Sequence, residues 1–225
     1  MITSVAFDPS ALDFEKNGGV VTVVAQHAMS GAVLMVASAD REAIERSLQT
    51  GEMHYRSRSR GLWHKGATSG NVQRVVSLAA DCDGDSLLAR VLPAGPACHS
   101  GSRSCFGDDG LGCDALSALD QVIAARANTA IGREGKPAAM ASYTQRLLDD
   151  RNLRLKKIGE ESAELVVALA DEDRNRAAEE ASDVIYHILV ALRSLGLGLD
   201  DIRQVLYERG QSKRAKADES VRNET

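Results

Sequence analysis

The sequence is poor in aromatic residues, has only four cysteines and lacks an apolar run long enough to span a bilayer. With aromatics at 4% and a hydrophobic content of 44%, its cores must depend on alanine, valine and leucine. The N-terminus has no basic stretch followed by an apolar segment and a small-residue cleavage site, so we expect a cytosolic location. In that reducing compartment the cysteines are predicted to be free thiols or metal ligands rather than disulfide partners.

The chain also lacks an excess of basic residues, and its formal net charge is -5 at pH 7. A general nucleic-acid binder needs a basic surface that displaces counterions, so this class is excluded. We expect small-molecule partners, with neither nucleic acid nor a membrane among them. Because the chain as a whole is acidic, any phosphate must be recognised by a local group of residues.

The 225 residues suffice for one large domain or two ordinary ones, and the pattern favours two. The first half is predicted to be α+β and dominated by strands: a hairpin over 20–36, a helix over 40–48 with Asp40 as N-cap and Gly51 as stop, and strands over 54–58, 72–80 and 86–92. After the Gly/Asp-rich stretch 107–112, helical periodicity predicts an all-α second half, with a loop over 127–139 and interruptions near 171–175 and 196–198. We place the domains at 1–107 and 114–210, followed by a disordered tail over 211–225.

Three cysteines lie close together in the first half, at Cys82, Cys98 and Cys105. Soft thiolates suit zinc, and a three-cysteine set leaves the fourth tetrahedral position for water, as in catalytic sites. The intervals of 15 and 6 residues differ from the Cys-x-x-Cys pairs of structural zinc ribbons, so spacing alone is only suggestive. Three roles stay open for His99: a fourth zinc ligand, a base, or a histidine whose polar atoms are satisfied by hydrogen bonds around the site. Cys113 stands apart and is interpreted as a spare thiol.

Aspartates occupy alternate positions around the first cysteine, at Asp81, Asp83 and Asp85. In an extended segment they would project from one face, where a hard cation such as magnesium would relieve their mutual repulsion. A calcium EF-hand is excluded, because Ser86 and Leu92 stand where its loop needs glycine and glutamate. The alternative is a polar turn.

A basic segment lies upstream. Its candidate substrate-binding residues are Arg56, Arg58, Arg60, Trp63, Lys65 and Ser69. The cations and the Gly/Ser-rich turns suit phosphate, and the indole could stack on a base. The alternative is an edge strand whose charges discourage aggregation.

The second half carries five acidic residues at helical spacing, namely Glu160, Glu161, Glu164, Glu180 and Asp183. If their two helices pack antiparallel, the carboxylates meet across one groove and form a site for a divalent metal. The alternative is a solvated face with weak surface ion pairs to Lys156, Lys157 and Arg176.

Four ordered motifs over residues 18–106 resemble phosphoribosyl-AMP cyclohydrolase. They are Arg56-Ser57-Arg58-Ser59-Arg60, Trp63-x-Lys65-Gly66-x-x-Ser69-Gly70, Asp81-Cys82-Asp83-x-Asp85 and Cys98-His99-x-Gly101-x-x-Ser104-Cys105-Phe106. The resemblance implies a homodimer in which the three cysteines bind zinc, the first coming from the partner subunit, and the three aspartates bind magnesium. The implied reaction is hydrolysis of the N1–C6 bond of a purine, with His99 a candidate for proton transfer.

The second half resembles phosphoribosyl-ATP pyrophosphohydrolase, a helical nucleoside-triphosphate pyrophosphohydrolase, over about residues 114–210. The motifs are Tyr143-Thr144, Lys157-Ile158-Gly159-Glu160-Glu161-x-x-Glu164, and Glu180-x-x-Asp183-x-x-Tyr186-His187. The resemblance implies magnesium held by the acidic residues, a carboxylate such as Glu161 as general base, and Lys157 as a phosphate contact.

Together the two resemblances imply a bifunctional hydrolase that performs two successive steps of histidine biosynthesis, with phosphoribosyl-ATP and phosphoribosyl-AMP as substrates. Two alternatives stay open. Either one domain is catalytic and the other is a dimerisation scaffold, or the chain is a non-catalytic nucleotide-binding module stabilised by zinc.

Overall fold

The computed structural model describes residues 7–59, 61–107, 114–130 and 142–223. The chain divides into two compact units, Met1–Cys113 and Asp114–Thr225. Arg60 and Cys113, and the part of the expected loop from residue 131 onward, lie outside the described residues. The expected strand-dominated first half and helical second half are confirmed.

The first unit is built on a six-stranded sheet in its described part, in the order β4-β3-β2-β1-β6-β5. The strands are β1 (Val21–His27), β2 (Val33–Ala39), β3 (His54–Ser57), β4 (Gly61–His64), β5 (Gln73–Ala80) and β6 (Ser86–Pro93). β1 and β6 run parallel, and the other neighbours are antiparallel. Val21, Val23 and Ala25 alternate along β1 and are fully buried, as the pleat of a half-buried strand requires.

Helix α1 (Arg41–Thr50) completes the core of this unit with Ala43 and Ile44. Its ends are those predicted, since the Asp40 carboxylate accepts the Ala43 N–H and Gly51 closes the helix in the left-handed region at φ 71°. A short 3-10 turn, Pro9–Ala11, precedes the sheet.

The second unit consists, where described, of α2 (Ala115–Ala130), α3 (Tyr143–Asp149), α4 (Arg151–Ala170), α5 (Arg174–Arg193) and α6 (Leu199–Asn223). Its core contains Ile123, Leu147, Leu189, Val190 and Leu199. Helices α4 and α5 are joined by only three residues and pack along each other as a helical hairpin. None of the described helices combines the length and apolar content that a membrane span would need.

Three local predictions were wrong. The predicted loop begins later, because α2 continues to Ala130. Strand β4 was missed because a glycine-led run of four residues gives too short an alternation. The break at Asp150 was missed, although this residue ends α3 and its carboxylate caps α4. Helix α6 continues to Asn223, since residues 211–223 contain good helix formers and no proline; a disordered tail over 211–225 stays a prediction.

Candidate functional sites

The first candidate site is the turn between β5 and β6, which gathers three carboxylates. One oxygen each from Asp81, Asp83 and Asp85 lies within 4.8 Å of the others. The segment is a turn and not the extended stretch in which the three side chains would share one face, because Gly84 adopts φ 77°. Asp81 accepts the N–H of Ser86 at 3.1 Å, which lowers the pKa of its carboxyl group.

Sequence analysis missed a basic partner of this group. Lys16 Nζ lies 3.1 Å from Asp83 Oδ2 and donates to the Asp83 carbonyl at 2.6 Å. The contact with the Asp83 carboxylate raises the pKa of Lys16. No pattern links a lysine to an aspartate 67 positions away, so only the folded chain reveals the pair.

The second candidate site is the cysteine loop after β6. The N–H of Cys98 donates to Ser102 O at 3.1 Å, and Gly101 turns the chain at φ 88°. The N–H of Cys105 donates to Leu34 O at 2.8 Å, while the buried Ser104 hydroxyl donates to Val33 O at 2.9 Å. These bonds fix the loop to the start of β2 and bring Cys98 and Cys105 together.

Hydrogen bonding, burial and charge give the two loop thiols different pKa values. The Ser100 hydroxyl donates to Cys98 Sγ at 3.1 Å, and this bond, with smaller contributions from the Ser100 N–H and from Cys105, lowers the pKa of Cys98. Partial burial, followed by the neighbouring Cys98, raises the pKa of Cys105. Lys65 is buried nearby, and burial lowers the pKa of its ammonium against the attraction of both thiols. A lowered pKa favours the thiolate, which is the form of cysteine that binds metals, and Cys98 is the thiol shifted in this direction.

The third cysteine does not join them within one chain. Cys82 is exposed in the aspartate turn, and among the described residues no group of three converging ligands contains a cysteine. His99 is exposed, with Nδ1 at 3.9 Å from Cys98 Sγ.

The described part of the basic segment does not form one uniform face. Arg56 is ion-paired with Asp40 and, at 3.3 Å, with Glu42 at the start of α1. Arg58 is exposed, while the Lys65 ammonium lies 5.7 Å from the Trp63 ring centre. Ser69 is exposed in the following turn and accepts the Asn71 N–H.

The third candidate site lies on the α4–α5 hairpin, where Glu161, Glu164 and Glu180 each bring an oxygen within 4.8 Å of the others. The other two predicted ligands stay out of this group. Glu160 pairs with Lys156 at 2.9 Å and with Lys157 at 3.4 Å, and Asp183 is exposed one turn further along α5.

Polar and aromatic side chains adjoin this acidic group. Lys157 Nζ lies 3.1 Å from Glu161 Oε1, and Tyr186 shares a 2.9 Å hydrogen bond with Thr144, which also accepts from Arg126 at 2.8 Å. His187 is buried with Nε2 at 3.8 Å from Glu161 Oε1. Tyr186 and His187 were part of the family motif but had no predicted role, and Arg126 carried no signal in the sequence.

Two family models match the chain in the order of its units. The phosphoribosyl-AMP cyclohydrolase model covers residues 35–107, and the phosphoribosyl-ATP pyrophosphohydrolase model covers residues 125–210. The histidine biosynthesis bifunctional protein HisIE of Escherichia coli K12 is 41% identical over 89% of this chain and 96% of its own length. The chain belongs to the HisIE family.

Other HisIE proteins give the same result. The protein of Deinococcus radiodurans is 46% identical over 90% of this chain and 93% of its own, and that of Shewanella oneidensis is 40% identical over 95% and 98%. The predicted family and the predicted hydrolase with one domain of each kind are confirmed. Neither single-function alternative is favoured, since HisIE relatives align along both halves.

Proposed function

We propose that the chain carries out two successive hydrolyses of histidine biosynthesis. The C-terminal domain removes pyrophosphate from phosphoribosyl-ATP, and the N-terminal domain opens the purine ring of phosphoribosyl-AMP at the N1–C6 bond. One observation carries the proposal: each family-matched domain holds its own group of three converging carboxylates. Two independent acidic groups suit two reactions on phosphorylated substrates.

In the N-terminal domain, zinc is assigned to Cys98 and Cys105 together with the partner subunit's Cys82. The donor chemistry supports this, because the two loop thiols adjoin each other and hydrogen bonding lowers the pKa of Cys98. Zinc held there supplies Lewis acidity that eases deprotonation of water near neutral pH. His99, exposed beside Cys98, accepts or returns the proton.

Magnesium is assigned to the aspartates of the β5–β6 turn, Asp81, Asp83 and Asp85. Their convergence within 4.8 Å supports the assignment, and carboxylate oxygens are the ligands that magnesium prefers. The Lys16 ammonium neutralises part of this charge. A divalent ion would compete with it at Asp83.

In the C-terminal domain, magnesium is assigned to Glu161, Glu164 and Glu180, with Glu160 and Asp183 at the edge of the group. A magnesium ion held by these carboxylates would neutralise part of the polyphosphate charge, and Glu161 is the candidate base for the attacking water. Lys157 is ion-paired with both Glu160 and Glu161. It is assigned to a phosphate of the substrate, which it contacts when its ion pair with Glu160 breaks.

The remaining substrate contacts are assigned to the basic segment. Arg58 and Ser69 are exposed and suited to phosphate, as is Arg60 by sequence, and the half-buried Trp63 offers a ring face for the base. Lys65 is attracted by the two loop thiols, and Arg56 is ion-paired with Asp40 and Glu42, so both act mainly by shaping the site. A cytoplasmic homodimer stays the predicted assembly.

The test is incubation of the full chain with phosphoribosyl-ATP and magnesium, with and without a zinc-selective chelator. We expect pyrophosphate release under both conditions and accumulation of phosphoribosyl-AMP only with the chelator, because only the thiol site depends on zinc. Glu161→Gln is the matched control: it should release no pyrophosphate yet still convert supplied phosphoribosyl-AMP. Ring opening that resists chelation would contradict the zinc assignment.

A further inference from the structure

His187 is a buried imidazole that the proposed chemistry has not used. It lies on α5 with 3% of its surface exposed. The Tyr186 ring meets it at 5.0 Å and 70°, and the Tyr143 ring meets it at 6.0 Å and 87°. The two tyrosines hold the ring plane, so the directions of its two nitrogens are set by packing.

The surroundings of the two nitrogens differ. Nδ1 is buried and has no hydrogen-bond partner within the described residues. Nε2 lies 3.8 Å from Oε1 of the Glu161 carboxylate. A proton on Nδ1 would be an unsatisfied buried donor and would leave the Nε2 lone pair facing a carboxylate. The proton therefore belongs on Nε2.

Glu161 is contacted on the same oxygen from a second direction, by Lys157 Nζ at 3.1 Å. Both contacts are made to Oε1, and a carboxylate oxygen of Glu161 lies within 4.8 Å of oxygens of Glu164 and Glu180. The distance from His187 is longer than a hydrogen bond, and a shift of about 1 Å brings it to ordinary N–H···O geometry.

We propose that His187 is a positioning residue for the pyrophosphohydrolase site: its Nε2–H holds Glu161 Oε1 and so orients this carboxylate towards a divalent cation shared with Glu164 and Glu180. The inference rests on the metal site of the proposed function and adds a residue to it. Outer-shell partners of this kind orient metal ligands in many proteins.

The first test compares His187→Gln with His187→Asn by calorimetric titration of Mn²⁺ into the full chain. Glutamine can place its amide donor where Nε2 lies, whereas asparagine places it near Nδ1. We expect His187→Asn to weaken binding by about tenfold and His187→Gln to stay within about threefold of the parent protein. Turnover at saturating Mn²⁺ should follow the same order, and the binding event in question is the one that Glu161→Gln removes.

The proposal would be overturned if both variants bound Mn²⁺ as tightly as the parent protein. It would also be overturned if both variants lost affinity equally, because the loss would then come from removal of the imidazole ring and not from the position of the N–H donor. If Glu161→Gln leaves Mn²⁺ binding intact, the proposed metal site itself fails, which separates the two failures. A measurement on the unaltered chain guards against misfolded variants. Nitrogen-15 spectra should show His187, identified by its absence in His187→Gln, with its proton on Nε2, and a proton on Nδ1 would refute the inference.

Discussion

At the scale of single residues, two glycines of the N-terminal domain allow backbone strain to be separated from crowding. Gly84 and Gly101 both have positive φ, at 77° and 88°. A Cβ on Gly84 would lie 2.7 Å from the Ala11 carbonyl oxygen, whereas a Cβ on Gly101 would meet nothing within 4 Å. We expect Gly101→Ala to cost about 1 kcal/mol through backbone strain, and Gly84→Ala to cost more because backbone must also move.

The measurement is urea unfolding followed by the fluorescence of Trp63. This is the single tryptophan, so its signal reports the N-terminal unit alone. Gly84→Ala should in addition weaken magnesium binding at the neighbouring aspartates, which Gly101→Ala should spare. Equal losses of stability in the two variants would show that the turn relaxes freely around Ala11.

Residue types could be predicted from the sequence, but their grouping could not. Glu160 and Glu161 are adjacent, and the motif admitted both as ligands. About 100° of helix separates neighbouring positions, so only one of them faces α5. Glu161 joins the carboxylate group while Glu160 pairs with lysines. Which of the two glutamates faces α5 depends on how α4 packs, and the motif does not contain that information.

At the scale of elements, the start of α2 is tied to α6 by one polar network. The Asp114 carboxylate accepts the Ser117 N–H at 2.9 Å and the Ser117 hydroxyl at 2.6 Å, and Arg203 of α6 reaches the same carboxylate at 3.2 Å. The Ser117 bonds, and secondarily Arg203, lower the pKa of Asp114. Asp114→Ala should therefore destabilise the C-terminal unit by about 1 kcal/mol at pH 7.

This effect depends on pH with a definite sign. A carboxyl group whose pKa is lowered by folding contributes stability above its unfolded pKa, and loses it as the pH falls through the folded pKa. The difference between the parent and Asp114→Ala should be largest above about pH 5 and shrink towards pH 3. Circular dichroism of the helices during urea unfolding checks this. Asp114→Asn, which caps but carries no charge, should stay near the parent at pH 7 with a flatter profile; a difference that is independent of pH would contradict the argument.

The elements that could be predicted from the sequence were those whose ends are marked by capping residues. Helix α1 was placed within two residues, because Asp40 and Gly51 mark its ends by cap chemistry. Asp150 has similar chemistry, but it interrupts a continuous periodic pattern and therefore went unnoticed. For the polar tail, composition alone does not separate a solvated helix from disorder.

At the scale of the whole molecule, the two units and their families could be predicted because each carries several ordered motifs. The thiol site could not be completed in the same way. Cys98 and Cys105 are brought together by one loop, while Cys82 lies exposed in another turn. The missing ligand must come from a second copy of the chain if the three thiols share one zinc. This makes the proposed homodimer testable through catalysis.

Two inactive variants should restore each other if the site is shared between subunits. In a heterodimer of Cys82→Ser with Cys98→Ser, one site receives both substitutions and the other receives neither. Random pairing makes half of the dimers mixed, each with one intact site of two, so ring-opening activity should recover to about a quarter of the parent value. Co-refolding equal amounts of the two variants and assaying phosphoribosyl-AMP hydrolysis measures this.

Cys98→Ser with Cys105→Ser is the matched control and should stay inactive, because both substitutions affect the same half of the site. Recovery in the control, or none in the test pair, would contradict a zinc site shared between subunits.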